Sequence, residues 1–119
     1  MPKRESRASV NVLFVCSQNR WRSPTAEEVF RKRPSVATRS AGTSKSAERK
    51  VRSADLRWAD LVIVMEAKHK QRLLSDFPGE MKFKDLYVLD IPDDYQRMDP
   101  ELIDLLERQV VPILEGHDA

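Results

Sequence analysis

Apolar residues in this chain fall into short runs, separated by polar stretches with apolar side chains three and four apart. The run from Val10 to Val15, broken only by Asn11, reads as a buried strand. A tight polar loop follows, and Ser23-Pro24 then signals a helix start, with Ser23 as N-cap and Pro24 as the first helical residue. Ala26, Val29 and Phe30 share one face of that helix, and Pro34 stops it near Lys32. Val36 to Ser40 predicts a second strand, ended by Ala41-Gly42-Thr43, and the polar, basic stretch 43–51 predicts an exposed loop. Ser53 can cap a short helix carrying Leu56 and Trp58. Leu61 to Met65 is apolar throughout and reads as a strand covered on both faces. A helix over Ala67 to Asp76 should turn Leu73 and Leu74 inward and end at Pro78-Gly79. Leu86 to Leu89 makes a fourth strand. The last helix starts at Asp99-Pro100-Glu101, carries Leu102, Leu106, Val110 and Ile113 along one side, and should kink or end at Pro112.

Strand and helix thus alternate. The expected fold class is α/β: a three-layer sandwich, with a four-stranded parallel sheet and helices on both faces. In such sheets ligands bind beyond the carboxyl ends of the strands. The loops after the first and fourth strands, which hold Cys16 and Asp93, should both lie on that edge. With 119 residues the chain is expected to be one domain over 10–119, and residues 1–9 a disordered lead-in.

Charge changes this picture little. Lys and Arg number 21 against 19 Asp and Glu, a formal net charge of +2 that fits an anionic substrate without demanding one. No arginine–aromatic array suggests nucleic-acid binding, and no stretch is apolar enough to predict a membrane span. The chain has one cysteine, so no internal disulfide can form. A cytoplasmic setting is expected, and its reducing conditions suit a reactive thiol. Neither His69, in a polar helical stretch, nor His117, in the C-terminal tail, has metal-ligand spacing around it. No metal or cofactor is expected.

The candidate chemistry is concentrated in Cys16-Ser17-Gln18-Asn19-Arg20-Trp21-Arg22-Ser23, directly after the first strand. A loop between a buried strand and a helix start aims backbone N–H groups and a helix N-terminus at one point, which attracts phosphate. The same positive field favours the thiolate of Cys16. Arg22 can grip two phosphoryl oxygens in a bidentate fork, and Ser23 can donate a hydrogen bond to the sulfur. Asn19 suits the left-handed backbone of a curled loop. One segment therefore supplies a nucleophile, an anion cradle and a fixed cation, the set needed for displacement at phosphorus through a phosphocysteine. Asp93 and Asp94 are both candidates for the general acid, and Trp21 and Tyr95 for apolar pocket walls.

With these residues in view, the chain resembles the low-molecular-weight protein tyrosine phosphatase family. That family carries a C-x5-R-S loop near its start, a Ser-Ala-Gly segment after its second strand and an Asp-Pro-Tyr acid loop before its last helix. Here they stand as Cys16 to Ser23, Ser40-Ala41-Gly42-Thr43 and Pro92-Asp93-Asp94-Tyr95. The resemblance implies Cys16 as nucleophile, Arg22 as phosphate ligand, Asn19 and Ser40 as loop supports and Ser23 as partner of the thiolate. It also implies Asp93 as acid and then base, and Tyr95 at the entrance. Gln18 stands where the family often has glycine, and Trp21 where it usually has a second cysteine. Arg20 replaces a small or apolar residue, and Asp94 replaces the proline after the acid. The implied partners are a phosphorylated protein or a small phosphoester, with inorganic phosphate or sulfate in the loop. An arsenate reductase using an external thiol and a non-catalytic phosphate-binding module are the alternatives.

Overall fold

A computed structural model of the chain describes residues 10–118. The expectation for the lead-in at residues 1–9 falls outside them. Four strands, β1 (Val10–Cys16), β2 (Val36–Gly42), β3 (Leu61–Val64) and β4 (Asp85–Val88), form one sheet in the order β2-β1-β3-β4. All pairings are parallel, and β1 sits in the middle, with Val12 to Val15 paired to β3 and Val10 to Cys16 paired to β2.

The alternation along β1 builds two cores. Val12, Phe14 and Cys16 point to one face, where α1 (Arg22–Phe30) and α5 (Pro100–Asp118) cover them through Ala26, Phe30, Leu102, Leu106, Val110 and Leu114. Leu13 and Val15 point to the other, beneath α2 (Ser53–Trp58), α3 (Ala67–Asp76) and α4 (Pro78–Met81), with Leu56, Leu73 and Met81 against them. Each fully buried Val, Leu, Phe or Met among them contributes about 1.5–3 kcal/mol. The three-layer α/β sandwich is thus as the hydrophobic pattern predicts. No helix among the described residues is long and apolar enough to cross a membrane.

Several local expectations are corrected. Ser23 is not the N-cap of α1. Trp21 holds that position without a side-chain bond, and the Ser23 hydroxyl turns to the Cys16 sulfur instead. Ser53 lies inside α2 and donates to Glu80, while Asp55 accepts the Arg52 N–H at 3.0 Å. Leu74 points outward, 41% exposed, because only Leu73 lies on the stripe facing the sheet. Pro78 opens a short helix rather than simply ending the one before. Pro112 is carried within α5, which runs on to Asp118, and Leu114 rather than Ile113 completes the buried stripe. β2 extends two residues beyond Ser40, as far as Gly42, where its backbone meets the loop after β1.

Candidate active site

The loop 17–21 leaves the end of β1 at the sheet's carboxyl edge. Asn19 takes φ 55°, the left-handed conformation its short polar side chain tolerates. Three of the loop's carbonyls face away from the recess into hydrogen bonds. Ser17 O accepts from Ser44 N–H at 3.0 Å, Gln18 O from Glu48 N–H at 2.9 Å, and Trp21 O from Thr25 N–H at 3.1 Å. The N–H groups of residues 17–21 donate to no acceptor among the described residues. Carbonyls out and amides free is the polarity of an anion nest.

Side chains fix this shape from behind. The Asn19 amide donates to Ser23 Oγ at 3.0 Å and to Ser40 Oγ at 2.9 Å. Ser40 in turn donates to Glu27 Oε1 at 2.6 Å. The Ser23 hydroxyl lies 3.0 Å from Cys16 Sγ. Gly42 makes the close approach possible: a Cβ there would lie inside contact of the Ser17 carbonyl oxygen and 2.7 Å from Ala47 Cβ.

Arg22, the first residue of α1, is the largest fully buried side chain, at 1% exposure. Its Nη1 donates to Glu66 Oε1 at 2.7 Å and to Ile91 O at 2.8 Å. Its Nε is buried with no hydrogen-bond partner, 3.5 Å from Asp93 Oδ1. One side of the guanidinium is therefore anchored, and a buried donor on another side awaits an acceptor. A cavity of about 150 Å³ is lined by Cys16, Gln18, Arg20, Trp21, Arg22 and Asp93. It brings the sulfur, the guanidinium and one carboxylate into a single recess.

Residues 11–53 match the family model of low molecular weight phosphotyrosine protein phosphatases. The resemblance seen in the sequence is to that family.

Solved structures of such phosphatases share the fold. A low molecular weight phosphotyrosine phosphatase from Vibrio cholerae O395 superposes with a TM-score of 0.74 at 24% identity, covering 91% of this chain and 96% of that one. The tyrosine phosphatase Wzb from Escherichia coli K30, solved in complex with phosphate, gives 0.71 at 24%, covering 89% and 96%. The YwlE arginine phosphatase from Geobacillus stearothermophilus gives 0.70 at 20%, covering 90% and 94%. None of the curated proteins matches the chain.

The remaining site candidates take varied positions. Arg20 and Trp21 are exposed at the cavity, and Arg20 pairs with Glu48 at 3.4 Å. Asp94 is exposed and does not line the recess. Tyr95 is half-buried against the α1–α5 core and does not line it either. Ser17 leads elsewhere, since its hydroxyl lies 2.9 Å from His69 Nε2.

Glu66 and His69 are the residues that sequence reasoning missed. His69 is not a surface histidine of a polar helix but is 1% exposed. Its Nδ1 accepts the Glu66 N–H at 3.0 Å, so the ring proton sits on Nε2 and is donated to Ser17 Oγ. Burial pushes its pKa down, and the Arg22 charge adds to this, to about 4. Burial alone would raise the Glu66 carboxyl. The hydrogen bond and charge of Arg22 outweigh that and hold it below its ordinary value. The available signal was position: Met65-Glu66 follows β3 on the edge where Cys16 lies, and His69 comes one helical turn later.

Proposed function

We propose that this chain is a cysteine-dependent phosphatase that hydrolyses phosphate monoesters through a phosphocysteine at Cys16. The observation that carries the reading is the pairing of free loop amides with the buried, unpartnered Nε of Arg22, in the recess that holds the only cysteine. Such donors stabilise the charge on the equatorial oxygens of a transferring phosphoryl group, and they need no metal for it.

In the first step the Cys16 thiolate attacks phosphorus, and the bond to the ester oxygen breaks. Asp93 gives its proton to that oxygen, and the alcohol or phenol leaves. In the second, the Asp93 carboxylate takes a proton from water as the water oxygen attacks phosphorus, releasing phosphate and the thiolate. Ser23 steadies the sulfur in both. Position favours Asp93 over Asp94 as the acid: it lines the recess that holds Cys16, and Asp94 does not. Protein phosphotyrosine is the substrate class favoured by the family resemblance.

Hydrolysis of a plain aryl phosphate tests the reading. Wild-type protein is expected to turn over without added metal and to be trapped as a phosphorylated species on rapid acid quench. Cys16→Ser should be inactive, and Asp93→Asn should lose roughly 10²-fold or more in kcat. Activity that survives Cys16→Ser would refute the mechanism.

A further inference from the structure

A broad groove of about 740 Å³ opens on the other side of Ser17, between the 43–45 segment and α3. Lys45, Lys68 and Arg72 line it, together with Ser17 and Ser44, and no acidic residue does. Lys45 forms no ion pair among the described residues. Lys68 has only a loose pairing with Glu66 at 3.8 Å, a carboxylate already bound by Arg22 at 2.7 Å. Arg72 uses its Nε on Asp76 at 2.9 Å, and its two Nη groups have no partner among the described side chains.

Ser17 gives the groove a directed donor. His69, buried at 1% exposure, has its Nδ1 occupied by the Glu66 N–H and so donates from Nε2 into Ser17 Oγ. The hydroxyl's own proton is then left to point elsewhere, and no acceptor among the described residues takes it. Ser17 is also the chain neighbour of Cys16, about 3.8 Å away along the backbone. Recess and groove are lined by consecutive residues, Cys16 and Gln18 on one side and Ser17 on the other, so a molecule with its phosphate over Cys16 reaches the three cations by extending past Ser17.

The geometry points to a substrate that carries a second anionic group, a carboxylate or a further phosphate, seated in the groove formed by Ser17, Lys45, Lys68 and Arg72. This rests on the phosphatase reading and narrows its substrate class. The second anion could belong to an acidic flank of a phosphopeptide or to a small diacid phosphoester. The chemistry recognised is the same.

Two matched pairs of substrates separate these sources: phosphotyrosine peptides flanked by Asp or by isosteric Asn, and aryl phosphates with or without a carboxylate substituent. The readout is the ratio of kcat/KM, acidic over neutral, within each pair. Wild type should prefer the acidic member of at least one pair by about tenfold at low salt, mostly in KM, and the preference should fade at high salt. A preference confined to the peptides assigns a protein substrate, and one seen in the aryl pair assigns a small one.

The double variant Lys45→Ala/Arg72→Ala should bring the ratio close to one, and the remote Lys32→Ala should leave it where it was. A wild-type ratio near one in both pairs, or a ratio unmoved in the double variant, overturns the groove while leaving the phosphatase reading intact. An equal fall with Lys32→Ala overturns it too, since bulk charge would then explain the preference. Absence of any Cys16-dependent turnover removes both readings.

Discussion

Replacing Gly42 by alanine tests whether the loop 17–21 is held in shape by close backbone contact with the end of β2. The new Cβ would meet the Ser17 carbonyl oxygen, Ala47 Cβ at 2.7 Å and the Asn19 nitrogen at 3.0 Å. Carbon atoms pack at about 3.5 Å, so one partner must retreat by at least about 0.8 Å. Gly42 itself cannot give way easily. Its N–H donates to Arg49 O at 2.8 Å and its carbonyl accepts from Val51 N–H at 2.9 Å. The loop must move instead, and with it the amides of 17–19. Overpacking of this kind costs about 1–3 kcal/mol. For a chain of this length that is about 4 °C of melting temperature per kcal/mol, or about 4–12 °C in all. Because a 1 Å misplacement can cost about 10²-fold in rate, kcat/KM on an aryl phosphate should fall by about one to two orders of magnitude. Thermal melts and initial rates on the same preparation decide the matter. A variant with unchanged melting and near-normal kcat/KM would show that β2 does not brace the loop.

Two further outcomes follow from the polar scaffold. Asn19→Ala removes bonds to Ser23 and Ser40 and puts a Cβ-bearing residue with no local hydrogen bond at φ 55°, so urea unfolding should report a loss of about 2–4 kcal/mol, and a loss well under 1 kcal/mol would contradict it. His69 should titrate near 4 in the folded protein, against 6.5 in the unfolded chain, so the unfolded state binds the proton more readily between those values. Stability is then full above about pH 6.5 and falls as pH drops towards 4, by up to about 3 kcal/mol at about 1.4 kcal/mol per unit. A His69 resonance, assigned by its absence from His69→Gln, that titrates near 6.5 in the folded state would refute it.

Much of the fold was legible because the signals were periodic and strong. The apolar runs of β1, broken only by Asn11, and of β3 announced strands buried on both faces, and the stripe of Leu102, Leu106 and Val110 announced a helix against them. What escaped was decided by competition among partners. Ser23 has the chemistry of an N-cap, yet its hydroxyl is claimed by Cys16 and Asn19. Leu73 and Leu74 are equally apolar, and only the packing of α3 on the sheet chooses between them. In the site, Cys16, Asn19 and Arg22 were readable because one strand–loop–helix segment carries them, whereas Ser40, 21 positions from Asn19, came only from the family resemblance. His69 lies in α3 and Glu66 just before it, and their links to Ser17 and Arg22 span 52 and 44 positions, a separation no local pattern encodes.

Arg22 also does the work of a keystone. One guanidinium nitrogen clasps Glu66, just past β3, and Ile91, past β4, while the residue itself begins the helix leaving β1. Three strand ends are thereby stitched together at a single atom. A replacement at this position will loosen the architecture as well as empty the recess of its cation, so its kinetics can be interpreted only beside an unfolding curve.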